Sequence, residues 1–529
     1  MTDLSQLERL LRVGGVSRRD FLKQATALGI TAAVATSAAN RVAHAATPKK
    51  GGRLRLGIGH GSTTDTLDPA TYENLYMQVL GGAVHGKLTE VGNSGDITPE
   101  LAESWEPSAD ARQWRFKLRQ GVEFHNGKTL EAEDVIASMN HHRGEDSKSA
   151  AKPIVDPIET IEADGKDTVV FALKSGNADF PFIVSDYHLA IMPSKDGEID
   201  ATAGAGTGGY SIESYDPGVR TALKRFPNYW KSNRAHFDEA ELLAIVDVTA
   251  RTNALTTGEI DAMDRVDIKT AHLLARNPNV NIVETSGTAH YTFAMRTDTP
   301  PFDNNDVRLA LKHALDRKAM LKTVLRGHGV EGNDHPIGRS NRYHAGDLPQ
   351  REYDVDKAKF HLKKAGLSSL AVDLSAADAA FPGAVDAAVL YKEHAAKAGI
   401  DINVVREPND GYWSNVWLKK PWCAVYWGGR PTEDWMFSTA YAAGAPWNDT
   451  YWEHARFNDL LIQARAELDE AKRREMYHEM QTLVRDEGGV VVPMFNNYVM
   501  GLSKKLAHEE MGANWGFDGF RAVERWWFA

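Results

Sequence analysis

The sequence contains a single cysteine, Cys423, among 529 residues. One cysteine excludes an intramolecular disulfide and any zinc or iron–sulfur site built from several thiolates. After the first 45 residues there is no run of about 20 apolar residues, so stable insertion of a spanning helix into a membrane is not expected. Lysine and arginine are outnumbered 61 to 72 by aspartate and glutamate and form no cluster, which argues against a nucleic-acid partner.

Motifs for catalysis and cofactor binding are also scarce. Neither HExxH nor GxSxG occurs. The segment 204–209 formally fits GxGxxG, but a dinucleotide site needs a strand before it and a helix after it, and here a strand pattern follows. The segment 121–129 resembles a phosphate-binding loop but has five residues between its glycines, where four are required. We therefore expect no cofactor, no metal and no enzymatic activity.

The first 45 residues carry an export signal. Residues 17–23 match the twin-arginine pattern, an apolar stretch covers 25–39, and 43–45 form a small-x-small cleavage site. The alternative is a short amphipathic helix that contains Arg-Arg by chance. We predict a twin-arginine signal peptide over 1–45, cleaved near Ala45, and delivery of the folded protein to the periplasm by the twin-arginine machinery. No cysteine near the cleavage point is available for a lipid anchor.

Strand and helix patterns alternate through the rest of the chain. Two-residue periodicity and short apolar runs predict strands at 53–58, 168–173, 241–246, 422–427 and 490–495. Helical periodicity predicts helices at 306–326, 356–365 and 458–487. A glycine follows each of these helices, as is common at helix ends. The pattern is typical of an α/β protein with about three structural units.

Several separated segments together resemble one protein family. They are PELAESW (99–105), WRFKLRQGVEFHNG (114–127), AEDV (132–135), GTGGY (206–210), LKRFPNYW (223–230), PFDNNDVR (301–308), ALDR (314–317) and AGIDI (398–402), followed by the helix pattern 458–487. In this order they are similar to the periplasmic solute-binding proteins of ABC transporters that carry peptides, nickel complexes and related solutes, known as family 5.

The resemblance implies a two-lobed fold of the periplasmic binding protein type, type II-like, with two hinge crossings that we place near 284–295 and 491–500. The boundaries that we expect are 46–285 with 496–529 for lobe I, about 75–200 for a subdomain inserted in lobe I, and 286–495 for lobe II. The lobes would close on a ligand, and the permease subunits of an ABC importer would bind the closed form. The resemblance also implies a monomer.

Seven of the 13 tryptophans fall between positions 413 and 452. We expect about half of them to fill the lobe II core and the others to stack on a planar or cationic ligand. The resemblance implies an aspartate that pairs with a peptide's α-ammonium group in the loop after 422–427. Asp434 matches that aspartate best, although relatives commonly have Asp-Pro there.

Arg430 has two interpretations. It binds a ligand carboxylate or phosphate bidentately, or it pairs internally with Glu433 or Asp434. The resemblance implies that other loops of the cleft supply the remaining contacts with the ligand. The expected site residues are His60, Trp413, Trp427, Gly428, Arg430, Glu433, Asp434, Trp435 and Asn496.

These features predict a non-enzymatic receptor that captures a small peptide or peptide-like amphoteric solute and delivers it to a membrane permease. Two alternatives stay open. The same fold would serve an opine, a sugar conjugate or a metal chelate, since fold does not determine ligand. A twin-arginine-exported hydrolase or redox enzyme would need an activated nucleophile or cofactor ligands, and neither is found in the sequence.

Overall fold

The computed structural model describes residues 48–409 and 411–529. The signal peptide predicted at 1–45 lies outside the described residues. Within the described ranges, no helix combines the length and the apolar character that crossing a bilayer requires.

The described residues form 21 strands. In chain order these are β1 (Arg53–Ile58), β2 (Thr89–Val91), β3 (Ile97–Pro99), β4 (Ala102–Pro107), β5 (Gln113–Leu118), β6 (Ile158–Ala163), β7 (Thr168–Leu173), β8 (Ser194–Lys195), β9 (Glu198–Ile199), β10 (Tyr210–Asp216), β11 (Arg220–Arg225), β12 (Glu239–Ala244), β13 (Ala262–Met263), β14 (Val280–Met295), β15 (Gly329–Glu331), β16 (Leu370–Ala376), β17 (Ile400–Arg406), β18 (Trp422–Trp427), β19 (Val490–Ser503), β20 (Leu506–Ala507) and β21 (Trp527–Phe528).

The helices of the described ranges, numbered in the same way, lie mostly between these strands. They are α1 (Leu75–Val84), α2 (Ala132–Asn140), α3 (Lys152–Val155), α4 (Phe180–Ile183), α5 (Val248–Thr257), α6 (Ala271–Leu274), α7 (Asn305–His313), α8 (Arg317–Val324), α9 (Val355–Lys364), α10 (Ala384–Ala396), α11 (Tyr412–Asn415), α12 (Glu433–Ala440), α13 (Ala455–Ala466), α14 (Glu470–Glu487) and α15 (Ala522–Arg525).

One mixed sheet of eleven strands passes through both lobes. Its order is β10-β11-β12-β1-β13-β19-β14-β18-β16-β17, and β15 also pairs with β19. The long strands β14 and β19 are antiparallel and pair from Val280 opposite Ser503 to Ala294 opposite Val490. They are the two crossings: β1 and β10–β13 lie in lobe I, and β15–β18 lie in lobe II. The register of β14 against β19 shifts between Ser286 and His290, midway along the crossing.

The core of lobe I joins the beginning and the end of the described chain. Buried and more exposed side chains alternate at the start of β1, as its sequence predicts. Leu54 and Leu56 are buried in the same cluster as residues of α1. Phe517 and Trp526, close to the C-terminus, lie in that cluster too. Lobe I therefore depends on the C-terminal segment for its core.

A second, antiparallel sheet with the order β4-β5-β7-β6 forms a subdomain inserted in lobe I. Its inner face packs around Phe116, Phe171 and Phe180, which contact each other edge to face. The buried cluster of this subdomain extends from Leu88 to Ile191. Helix α1 precedes it and packs in the lobe I core instead.

Lobe II has the largest buried cluster, which includes residues of β14, β16, β17, β18 and several helices between α7 and α14. Trp422 on β18 is 1% exposed, and its ring meets Tyr391 of α10 edge to face at 5.5 Å. The neighbouring Cys423 is buried, and burial raises the pKa of its thiol. Cys423 therefore packs as a small apolar side chain rather than as a reactive thiol.

The glycines of 204–209 contact the end of α1. The Gly208 N–H donates to the carbonyl oxygen of Val84 at 2.8 Å, and a Cβ on Gly206 would lie 2.1 Å from that oxygen. Any side chain at Gly206 would therefore clash with the backbone. Strand β10 begins at Tyr210 directly after the run, which confirms the predicted glycine turn before a strand.

Candidate ligand-binding site

A cavity of about 560 Å³ lies between the lobes, where β14 and β19 cross. Lobe I lines it with loop residues, the start of α1 and the segment near the C-terminus. Lobe II lines it with the loop after β16 and the end of β18. Its lining includes His60, Glu73, Asp264, Arg265, Tyr291, Asp378, Phe381, Tyr426, Gly428, Asn496, Tyr498, Trp515, Phe517 and Phe520. A volume of this size is typical of small-molecule sites.

The cation of the lobe I wall is Arg265, in the loop after β13. Its side chain is 59% exposed, and its Nε lies 3.6 Å from Oδ2 of the buried Asp264. Asp264 is fixed from the other side, because its Oδ1 accepts a hydrogen bond from the Gly59 N–H at 2.8 Å. Arg265 has a left-handed backbone, with φ of 49°, which is unusual for a non-glycine residue. The guanidinium thus reaches the cavity, and Asp264 is its one carboxylate partner within 4.0 Å among the described residues.

His60, predicted as a site residue, lies beside this arginine. Its Nε2 is 2.7 Å from Nη1 of Arg265. Burial, together with the charges of Arg265 and Arg251, lowers the pKa of His60 to about 4. At neutral pH the imidazole is therefore neutral and accepts a hydrogen bond from the guanidinium, which leaves Arg265 as the cation on this wall.

Two exposed carboxylates provide negative charge. Glu73, just before α1, belongs to lobe I, and Asp378, in the loop after β16, belongs to lobe II. Neither has a salt-bridge partner within 4.0 Å among the described residues. The cavity therefore presents the exposed cation Arg265, which pairs with Asp264 at 3.6 Å, and two carboxylates without salt-bridge partners. This arrangement suits a ligand with groups of both signs.

The crossing strands form the back of the cavity. Asn496, another predicted site residue, is half-buried on β19 and lines the cavity together with Tyr498. On β14 the lining residues are Ala289 and Tyr291, close to the register shift. Gly287 cannot carry a side chain here, because a Cβ would lie 2.6 Å from the ring of Tyr498.

The loop after β18 brings Gly428 to the cavity, whereas Arg430 is not among the lining residues. Arg430 uses only Nη1 in its two hydrogen bonds, to the carbonyl oxygens of Gly428 at 2.9 Å and Gly429 at 3.3 Å. Among the described residues it makes no salt bridge, so the internal pair expected with Glu433 or Asp434 is absent. Its guanidinium lies 5.9 Å from the ring centre of Trp435.

Glu433 and Asp434 occupy the first turn of α12, where negative charge stabilises a helix N-terminus. Neither lines the cavity. Oε1 of Glu433 accepts from the Tyr343 N–H at 2.6 Å. The carboxylate of Asp434 accepts from Nε of Arg465 at 3.0 Å. The structure therefore places both carboxylates inside lobe II, and a ligand contact through Asp434 stays a prediction.

Glu433→Gln is expected to raise the free energy of unfolding by about 1–2 kcal/mol at pH 8 and to change it little at pH 5. Burial raises the pKa of Glu433 to about 7. The folded state holds this proton between pH 4 and 7 while the unfolded chain releases it, so wild-type stability falls as the pH rises through that window. Glutamine carries no charge and avoids this loss. Urea unfolding of wild type and variant at pH 5 and at pH 8 measures this difference in stability. An equal effect of the substitution at both pH values would contradict this explanation.

Trp413 and Trp427 belong to an aromatic cluster on lobe II outside the cavity. Nε1 of Trp427 and Nε1 of Trp417 each donate to Oδ2 of Asp449 at 3.2 Å. Burial raises the pKa of Asp449 to about 7. All seven tryptophans of 413–452 are described, and none of them lines the cavity. The expectation that some of these rings form the cleft wall is therefore not met.

The aromatic wall of the cavity comes from residues that the sequence did not single out. They are Tyr291, Phe381, Tyr426, Tyr498, Trp515, Phe517 and Phe520. Three of them follow β19 near the C-terminus, a segment without a recognisable binding motif. The two predicted crossings, 284–295 and 491–500, gave the sequence signal for Tyr291 and Tyr498, which lie within them.

The sequence of this chain is similar to those of known solute-binding proteins, which agrees with a cavity between two lobes. The sequence model of bacterial extracellular solute-binding proteins, family 5 (middle), matches residues 96–449. The dipeptide-binding protein of Escherichia coli (strain K12) is 26% identical over 443 residues, which cover 75% of this chain and 80% of that protein.

Solved structures show the same two-lobed fold. HbpA2 from Haemophilus parasuis superposes with a TM-score of 0.79 at 21% identity, over 88% of this chain and 99% of that one. AgaA from A. tumefaciens R10, in complex with agropinic acid, superposes with a TM-score of 0.71 at 25% identity, over 90% and 99%.

Proposed function

Because this chain belongs to the bacterial extracellular solute-binding proteins, family 5, we propose that it is the substrate-binding receptor of an ABC importer and captures a small peptide or peptide-like amphoteric solute. Lobe I (46–285 and 496–529) and lobe II (286–495) close on the ligand, and the closed form delivers it to the permease. The observation that carries the ligand class is the set of exposed charges of both signs in the cavity.

Each charge has a partner in such a ligand. Arg265 from lobe I binds a carboxylate, since its side chain is 59% exposed and its protein partner, Asp264, is no closer than 3.6 Å. Asp378 from lobe II and Glu73 from lobe I receive an ammonium group. Because these charges come from both lobes, a zwitterionic ligand stabilises the closed arrangement more than the open one. The dipeptide-binding relative supports this assignment.

The cellular setting follows from the leader and the family. The protein acts in the periplasm, is exported by the twin-arginine route with cleavage near Ala45, and works as a monomer. Its partners are the solute and the permease subunits. As a transport receptor, it binds and releases its solute without chemical change.

Arg265→Gln is expected to weaken the binding of Ala-Ala about ten- to a hundredfold, since a charge-assisted hydrogen bond to the ligand carboxylate is lost. Isothermal titration calorimetry on the purified protein measures the affinity, and a saturable upward thermal shift without turnover supports a receptor.

Arg53→Gln is the matched control. Arg53 is also an exposed lobe I arginine, with a side chain 53% exposed, but it lies outside the cavity and should leave the affinity unchanged. Equal affinities of wild type and Arg265→Gln would remove Arg265 from the site. Absence of any thermal shift with small peptides would overturn the peptide assignment.

An opine is the second candidate ligand. The observation that favours it is the solved structure of AgaA with agropinic acid, 25% identical to this chain. Opines, like peptides, carry carboxylate and amine groups and would use the same three charges. Titration with agropinic acid under the same conditions distinguishes the two classes.

A further inference from the structure

Two pairs of parallel aromatic rings line the cavity. Tyr291 and Phe381 stack with their ring centres 4.2 Å apart and their planes at 6°. Trp515 and Phe520 stack at 5.0 Å and 7°. All four side chains line the cavity.

The pairs belong to different lobes. Phe381 is buried in the lobe II cluster, and Tyr291 packs against that cluster. Phe520 is buried in the lobe I cluster, and Trp515 packs against it. Because the crossing strands connect the lobes behind the cavity, closure changes the separation between the two pairs.

Each pair is held from behind by a further ring. Tyr187 meets Trp515 at 87° and 5.7 Å, and it meets Phe520 at 88° and 5.5 Å. Phe293 meets Phe381 at 67° and 6.3 Å. Edge-to-face contacts of this kind fix ring orientation, so both walls are formed before a ligand arrives.

The lobe I pair also depends on a strained turn. The backbone is left-handed at four successive residues, with φ of 48° at Phe517, 59° at Asp518, 64° at Gly519 and 68° at Phe520. Asp518 clamps the turn, because Oδ1 accepts from the Gly512 N–H at 2.7 Å and Oδ2 accepts from Nε1 of Trp526 at 3.1 Å. Such strain persists where surrounding contacts enforce it and is concentrated at binding sites.

We infer that the ligand carries a planar aromatic group, which is held between the Tyr291/Phe381 pair and the Trp515/Phe520 pair while its carboxylate is bound by Arg265. A flat ring held between the two preformed pairs gains contact area from both lobes with little loss of conformational entropy. This inference rests on the proposed receptor function and narrows it. The aromatic group belongs either to a peptide side chain or to a free aromatic acid, and the two share the same ring and carboxylate chemistry.

Calorimetry with three probes tests the inference: Ala-Ala, Ala-Trp and indole-3-propionate. We expect Ala-Trp to bind about tenfold or more tightly than Ala-Ala. If indole-3-propionate binds as tightly as Ala-Trp, the ligand is a free aromatic acid. If indole-3-propionate binds more weakly than Ala-Trp, the aromatic ring belongs to a peptide side chain. Equal affinities of Ala-Ala and Ala-Trp would overturn the aromatic inference and leave the peptide receptor standing.

The peptide-receptor proposal can also fail while the aromatic-group inference stands, or both can fail. Binding of indole-3-propionate alone would contradict the peptide receptor and support the aromatic site. Binding of none of the three probes would overturn both claims.

Two substitutions test the walls directly. Trp515→Leu and Phe381→Leu, one in each lobe, should each reduce the preference for Ala-Trp over Ala-Ala to about threefold or less. Trp447→Leu is the matched control, since Trp447 is 48% exposed on lobe II and lies outside the cavity. A preference that survives both wall substitutions, or that Trp447→Leu also removes, would overturn the assignment of the walls.

Discussion

Arg521→Ala is expected to lower the free energy of unfolding by about 3–5 kcal/mol, the usual effect of removing one member of a buried charge network. The side chain of Arg521 is 6% exposed, with Nη2 2.7 Å from Oε2 of Glu100 and Nη1 2.8 Å from Oε2 of Glu524. A third carboxylate, that of Glu90, lies 3.6 Å away. Without the arginine, these buried carboxylates lose one of the cations that they share.

The network joins distant parts of the sequence. Lys231 contacts the same carboxylates, at 2.7 Å from Glu90, 3.2 Å from Glu100 and 3.1 Å from Glu524. Glu90 and Glu100 precede the inserted subdomain sheet, whereas Arg521 and Glu524 lie in the C-terminal segment that completes lobe I. Loss of Arg521 should therefore destabilise the attachment of the C-terminal segment and not only a local contact.

Acid should weaken the same network. Burial alone would raise the pKa of Glu90, but Arg521, Lys231 and Arg525 together hold it well below its usual range. A carboxylate with a lowered folded-state pKa stabilises the fold above its unfolded pKa of about 4.3, and this contribution is lost as the pH falls further. Arg521→Ala should accordingly lose less stability than wild type between pH 5 and pH 3.

Urea unfolding followed by tryptophan fluorescence measures both effects. Arg521→Met keeps part of the aliphatic stem and separates lost packing from lost charge. Arg115→Ala is the surface control, since Arg115 pairs with exposed carboxylates and should change stability by about 1 kcal/mol or less. A loss at Arg521 no larger than the loss at Arg115 would show that the network does not stabilise lobe I.

Periodicity located the helices but not their breaks. The pattern at 306–326 predicted one helix, and the structure has α7 and α8, with Asp316 between them capping α8 through the Ala319 N–H at 2.9 Å. The prediction for 458–487 was wrong in the same way, because Asp469 caps α14. An aspartate on the polar face of a helical pattern and an aspartate at a cap have the same sequence signature. Packing of the following helix decides between them.

Residues of the candidate site could be predicted only where they lie on or directly after a strand. His60, Gly428 and Asn496 line the cavity because they lie on or directly after strands that the sequence pattern identified. Arg265 and Trp515 reach the cavity through loops with left-handed backbone in or near them, and no spacing rule predicts such loops.

The example of Asp434 shows that the sequence does not predict which side chain a given residue contacts in the fold. Asp434 was predicted in a loop of the cleft, whereas the structure places it in the first turn of α12, where its carboxylate accepts from Arg465, 31 residues further along the chain. A single sequence does not indicate which of several arginines folds back onto an aspartate. Ligand contacts inferred by position in a motif therefore need the tertiary partners before they can be assigned.

Asp179→Ala is expected to destabilise the contact between the inserted subdomain and lobe II by about 3–5 kcal/mol, because it leaves a buried arginine unpaired. Oδ2 of Asp179, just before α4, lies 2.8 Å from Nη2 of Arg473 on α14, and the two side chains are 5% and 2% exposed. Next to this pair, the Ala178 N–H donates to the carbonyl oxygen of Arg465 at 2.7 Å. Together they form a contact between lobes that needs no ligand.

Opening of the lobes relieves the cost of the unpaired arginine, since Arg473 then reaches water. The ligand-free variant should therefore have a larger radius of gyration by small-angle X-ray scattering, and it should bind peptide more weakly although neither residue lines the cavity. The double variant Asp179→Ala, Arg473→Met removes both charges and should be more stable than Asp179→Ala alone. Asp156→Ala, which removes an exposed carboxylate of the same subdomain, is the control for scattering. If Asp179→Ala scatters like wild type and the double variant is no more stable, the pair does not hold the lobes together.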